Sequence, residues 1–169
     1  MAKIKLKGKE INTVGELPKV GEKAPEFILT KNNLSDVNLK DFRGKKVVLN
    51  IFPSLDTAVC AMSVRKFNAE AENLNNTVVL CISRDLPFAQ ARFCGAEGLD
   101  NVITLSEMRD NKFSNDYGIR IIDGPMAGLL GRAVIILNEG GVVKYKELVP
   151  EITQEPNYEE ALKNLKKID

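Results

Sequence analysis

Val47-Val48-Leu49-Asn50-Ile51-Phe52-Pro53-Ser54 is the stretch on which the fold turns. Its first six residues are nearly continuous in apolar character, the pattern of a strand covered on both faces, and Pro53 with Ser54 stops it. Downstream, Cys60, Val64, Phe67, Ala71 and Leu74 step by four, three, four and three. That spacing predicts an amphipathic helix that opens at Val59 or Cys60 and closes at Asn75-Asn76. Thr77-Val78-Val79-Leu80-Cys81-Ile82-Ser83 then reads as a second buried strand. Strand, helix and strand in this order predict a parallel crossover, and with it an α/β fold.

Working outward, Lys3 to Lys7 alternates with period two, Gly8-Lys9 can turn, and Glu10 to Val14 can return, so residues 1–17 read as an N-terminal β-hairpin. Pro18, Gly21 and Pro25 punctuate a connection to a strand at Phe27-Ile28-Leu29. Beyond the crossover, Pro87 can open a helix carrying Ala89, Phe93 and Cys94, with Gly95 as its expected C-cap. Asn101 to Leu105 reads as a strand and Asn111 to Tyr117 as a short helix ended by Gly118. Arg132 to Leu137 and Val142 to Glu147 flank Asn138-Glu139-Gly140-Gly141, a hairpin. A last helix starts near Tyr158, with Asn157 and Glu160 as a capping pair and Tyr158, Ala161, Leu162, Leu165 and Ile168 as its apolar face. Parallel early and antiparallel late, the elements imply a mixed central sheet with helices on both faces. Residues 1–169 fit one domain without repeat or linker.

Composition narrows the chemistry. Lys and Arg total 24 against 23 for Asp and Glu, so no net field draws the chain to nucleic acid or an anionic membrane. No apolar run approaches the length of a bilayer span and the start does not read as a signal core, which points to a cytoplasmic protein. Histidine is absent, which removes Ser/His/Asp and Cys/His nucleophile designs and every His-containing metal site. No metal or cofactor is expected. Cys60, Cys81 and Cys94 remain, with no C-x-x-C pair, so any thiol chemistry uses separated cysteines.

Cys60 follows a buried strand at the amino end of a helix. There a thiol meets unpaired backbone N–H groups and the positive end of the helix dipole, both of which favour thiolate over thiol. Such a sulfur can attack an O–O bond, leaving a sulfenic acid that a second thiol condenses to a disulfide. Cys94 is the better candidate for that second thiol, because Cys81 sits inside a buried apolar strand. On position alone Cys60 reads equally well as a small core residue, and Cys94 reads first as helix packing. Thr57 and Asp56 can each be an N-cap, and Pro53 a strand stop. With no histidine, a thiolate site needs a fixed cation, for which Arg43, Arg65, Arg84, Arg92, Arg120 and Arg132 compete.

Pro53-x-x-x-Thr57-x-x-Cys60 resembles the peroxiredoxin active-site signature, and Asn50 through Cys60 is similar to the thiol peroxidase subfamily. Ser63 to Asn68, Val79 to Ser83, Asp85 to Gln90 and Arg92 to Gly98 also resemble that subfamily, so the likeness covers nearly the whole chain. The resemblance implies a thioredoxin-like fold with an N-terminal hairpin. It implies Cys60 as peroxidatic nucleophile and Cys94 as the resolving cysteine within the same chain. Thr57 is then a hydrogen-bonding partner of sulfur and peroxide, Pro53 a shield against water, and Arg132 the cation at the sulfur. Hydroperoxide substrates, thioredoxin as reductant and a homodimer are implied too. The rival from another class is a peroxide-sensing thiol switch without turnover. Because Cys60 and Cys94 belong to different helices, a disulfide between them is expected to require local unwinding.

Overall fold

The computed structural model describes residues 1–168; Asp169, the end of the expected domain, lies outside the described residues. Nine strands and four α-helices are described: β1 (Lys3–Leu6), β2 (Lys9–Asn12), β3 (Ile28–Lys31), β4 (Asp36–Asn38), β5 (Lys46–Ile51), α1 (Ala58–Ala71), β6 (Thr77–Ser83), α2 (Pro87–Glu97), β7 (Ile103–Ser106), α3 (Lys112–Asp116), β8 (Ala133–Leu137), β9 (Val143–Leu148) and α4 (Tyr158–Lys166). β1 and β2 form a separate hairpin, and the other seven strands form one sheet in the order β4-β3-β7-β6-β5-β8-β9. β5, β6 and β7 run parallel, while β8 runs antiparallel beside β5 and β9 antiparallel beside β8. This is the mixed sheet expected from the crossover and the late hairpin.

The sheet is buried on both faces because its central strands alternate between two apolar sets. Leu49, Ile51, Leu80 and Ile82 point into one core with Phe27, Phe113 and Tyr117. Val48, Val79 and Cys81 point into the other, where they meet Cys60, Val64 and Phe67 of α1 and Ala161 and Leu165 of α4. Phe67 is 1 % exposed and packs edge-on against Tyr158 at 5.4 Å. Truncating it to alanine is expected to cost about 3–5 kcal/mol.

Four details differ from the sequence expectations. The turn of the first hairpin is Lys7-Gly8 rather than Gly8-Lys9; both residues have positive φ, as a two-residue turn between twisted strands requires. α1 ends at Ala71 instead of Asn75-Asn76, because the next bonds, Asn73 N–H to Glu70 and Leu74 N–H to Ala71, tighten the chain out of the α-helix. Gly95 does not end α2. The helix runs on to Glu97 and stops at Gly98, whose φ of 66° is the left-handed conformation that a terminating glycine supplies. Finally, β4 and a 3-10 turn at Leu39–Phe42 had no strong sequence signal, since Asp36-Val37-Asn38 is short and polar and is a strand only by pairing with β3.

Candidate active site

The carboxyl end of β5 leads into a loop, Phe52 to Thr57, that delivers Cys60 into the first turn of α1. That loop is held from the neighbouring strand. The Ser54 hydroxyl and the Leu55 N–H donate to the two oxygens of Asp85 at 2.7 and 2.8 Å, and the Ser83 hydroxyl donates to Asp85 at 2.6 Å. Asp85 thus staples the loop before Cys60 to the loop before α2. Sequence reasoning missed it; an aspartate in a loop after a strand has no local signal beyond turn propensity.

Cys60 is 0 % exposed. Its carbonyl accepts from the Ser63 hydroxyl at 2.8 Å, and Asn50 on β5 donates to that hydroxyl at 3.3 Å, so the turn is braced from the sheet below. Above all, its sulfur meets a cation. Ile51 pairs with Ala133 in the antiparallel register of β5 and β8, which puts Arg132 level with the end of β5 and beside the first turn of α1. Arg132 is 2 % exposed. Its Nη2 donates to Cys60 Sγ at 3.2 Å and its Nε to the Ile152 carbonyl at 2.9 Å, while Nη1 is buried without a partner among the described residues. Among six candidate arginines the structure brings this one to the sulfur. Among the described residues no carboxylate pairs with this buried guanidinium, which favours an anion at its fork.

The Ile152 carbonyl is itself fixed by the N-terminal hairpin. Lys5 exchanges backbone bonds with Pro150 and Ile152. At the hairpin tip the N–H groups of Lys7 and Gly8 donate to the Glu151 carboxylate. The Thr153 N–H, joined by those of Gly8 and Lys7, holds the Glu151 carboxyl down at about 2. The hairpin therefore buttresses Arg132 from the opposite end of the chain.

A cavity of about 460 Å³ opens at this place, walled by Leu6, Pro53, Val59, Met126 and Ile152, with Thr57 and Arg132 also on its surface. Its character is mostly apolar. Pro53 is buried, and Thr57, exposed at the N-cap of α1, donates its hydroxyl to the Ser54 carbonyl at 3.0 Å instead of to the sulfur. Pro53, Thr57, Cys60 and Arg132 are thus brought to one place.

The other two thiols differ. Cys81 is 0 % exposed in β6, and burial pushes it up to about 12, while the Asn50 amide donates to its sulfur at 3.7 Å. Cys94 is half-buried in α2 against the same core as Cys60, with its thiol raised by burial and lowered in part by a hydrogen bond with Thr104. All three cysteines are unbridged.

Residues 19–162 match the Redoxin family. The chain is 59 % identical over 162 residues to the thiol peroxidases of Mycobacterium tuberculosis and Mycobacterium bovis, covering 96 % of this chain and 97 % of each relative. A peroxiredoxin-like protein from Aquifex aeolicus superposes with a TM-score of 0.93 at 38 % identity, over 99 % of this chain and 97 % of its own. The thiol peroxidase from Chromobacterium violaceum superposes with a TM-score of 0.91 over the same shares, and at 22 % identity it bears on the fold alone.

Proposed function

Because the chain belongs to the Redoxin family, as a thiol peroxidase with a thioredoxin-like fold, we propose that its thiol-dependent peroxide reduction runs on Cys60 and is completed by Cys94. The observation that carries this reading is the 3.2 Å bond from Arg132 Nη2 to Cys60 Sγ, between two buried side chains. The guanidinium supplies a charged donor to the sulfur at the edge of the cavity that Arg132 itself lines. A hydroperoxide entering there takes the unpartnered Nη1 as donor to its oxygens. The thiolate attacks the terminal oxygen, the O–O bond breaks, and the departing alkoxide or hydroxide takes a proton to leave as alcohol or water. Cys60 is left as sulfenic acid.

Pro53 keeps water from the sulfur, and Thr57 at the cavity wall turns its hydroxyl to the incoming peroxide. Cys94 then attacks the sulfenic sulfur, forming a Cys60–Cys94 disulfide and releasing water, and thioredoxin reduces that disulfide. The apolar walls favour organic hydroperoxides beside hydrogen peroxide. The protein works as a cytoplasmic homodimer of single-domain chains. No helix of the described residues is long and apolar enough to cross a membrane. A sensing switch without turnover is the reading that the kinship to thiol peroxidases disfavours. The test is peroxide consumption coupled to thioredoxin and its reductase, across hydrogen peroxide and alkyl hydroperoxides. Continuous turnover is expected; consumption that stops after one equivalent would leave the switch standing instead.

A further inference from the structure

We propose that Arg65 is a positioning residue that latches the Cys94 turn of α2 to α1 and thereby sets how fast the disulfide closes. The inference rests on the functional reading above. Arg65 donates from Nε to Glu97 at 3.1 Å and from Nη2 at 2.7 Å, a two-pronged bond to the carboxylate. Its guanidinium carbon also lies over the Phe93 ring, 5.7 Å from the centroid. Phe93 and Glu97 flank Cys94 in sequence, so one side chain grips the resolving turn on both sides. The Cys94 carbonyl closes the same turn by accepting from the N–H groups of Gly98 and Leu99.

The segment is anchored at both ends as well. Asp85 holds its entry to the Cys60 loop. Beyond its exit, the Asn101 N–H donates to the Asn68 side chain of α1 at 2.8 Å, and the Asn101 amide donates to the Asn68 carbonyl at 3.3 Å. α2 is thus suspended between two fixed points with Arg65 gripping the middle.

The grip is at the wrong level for chemistry. Arg65 lies five residues after Cys60, about 7.5 Å further along the helix axis. Packed helices stand about 8–10 Å apart. A turn held at Arg65 therefore keeps Cys94 well outside the roughly 4.4–6.8 Å between α-carbons that a disulfide allows. For Cys94 sulfur to displace hydroxide from the Cys60 sulfenic acid, with S–S forming as S–O breaks and water leaving, the last turn of α2 must come off Arg65. The pair is solvent-exposed, with side chains 41 % and 35 % exposed, which makes it a catch that opens readily instead of a permanent weld.

The test separates the two chemical steps. Reduced protein is mixed with one equivalent of hydrogen peroxide, quenched with an alkylating agent at intervals and analysed by mass for sulfenic acid and for the Cys60–Cys94 disulfide. Arg65→Gln and, from the other side, Glu97→Gln are expected to oxidise Cys60 at the wild-type rate and to close the disulfide roughly three- to tenfold faster. Their sulfinic acid yield under excess peroxide should fall, and hydrogen exchange should rise at residues 94–98 but not in α4. The exchanged pair Arg65→Glu with Glu97→Arg should move closure back toward wild type. Unchanged or slower closure in both single variants, with wild type closing normally, overturns the latch alone. A wild-type protein that forms no Cys60–Cys94 disulfide overturns the functional reading and the latch together.

Discussion

The surroundings of Cys60 and of Cys94 are built on opposite principles. Cys60 is sealed at 0 % exposure, and the groups that fix its sulfur come from far along the chain: Arg132 on the β8 side, the Ile152 carbonyl that holds Arg132 and, behind that, the N-terminal hairpin. Cys94 is half-buried, one turn from a glycine cap, and is held mainly by an exposed arginine pair that water can replace. A sulfur that must present one geometry to an oxygen–oxygen bond is made rigid by burial and charge. A sulfur that must travel is held by contacts weak enough to be released.

The largest effect should come from exchanging the two thiols in turn. Cys60→Ser is expected to reduce peroxide consumption to background, whereas Cys94→Ser should permit one oxidation and then stall thioredoxin-dependent turnover. Coupled turnover and mass analysis of the peroxide-treated proteins measure both; near-normal turnover in Cys94→Ser would erase the contrast between the regions. Next in size is Arg132→Lys, which keeps a charge but cannot span Ile152 and the sulfur with one planar fork. The second-order rate of Cys60 oxidation should drop about 100-fold, by the scale of a lost transition-state donor. A drop of less than threefold would show that charge without the fork suffices.

Smaller consequences sharpen the same contrast. Cys81 shares the core with both thiols, yet burial holds it at about 12, so it has no ionised fraction to offer near neutral pH. Cys81→Ser should keep at least about half of the activity and lower stability by about 1–2 kcal/mol, the cost of a hydroxyl in an apolar strand. A larger activity loss in a folded protein would give Cys81 a part in the reaction. The smallest effect concerns acid. Glu151 is depressed from 4.5 to about 2 by the backbone N–H of Thr153 and those of the hairpin tip. A depressed carboxylate contributes its stabilisation fully above its unfolded value and loses it as pH falls through the folded one. Hydrogen exchange at Lys7 and Gly8 should therefore remain protected at pH 5 and lose protection, after correction for intrinsic rates, between pH 4.5 and 2. In Glu151→Gln that acid-dependent loss should be absent; its persistence would place the titrating group elsewhere.

Much of this was legible beforehand. The β5-α1-β6 crossover, the late hairpin and the last helix follow from periodicity and turn residues, which act over a few positions. Asn157 does accept from the Glu160 N–H at the start of α4, as its spacing suggested. The resemblance to peroxiredoxins singled out Cys60, Cys94, Thr57, Pro53 and Arg132, and the structure places Thr57, Pro53 and Arg132 on one cavity, Cys60 behind it on Arg132, and Cys94 on the adjoining helix. The cap of α2 was misplaced because two glycines stand three residues apart, and only the folded backbone shows which is left-handed. Asp85 and Glu151 each make a local turn bond, to Ser83 and Thr153, but the bonds by which they tie two parts of the chain together, to Ser54 and Leu55 and to Lys7 and Gly8, leave no local signal.

From residue order alone came the alternation of elements, the burial of the central strands and the placing of a thiol at the mouth of a helix, because all three depend on contacts within a few residues. What each arginine does came only from the tertiary structure. Arg65 and Arg132 are chemically identical, and the register of β5 against β8 puts one on the sulfur of Cys60 while the separation of α1 from α2 puts the other on the turn of Cys94. Partners far apart along a chain are selected by strand order and helix packing, which no local pattern encodes.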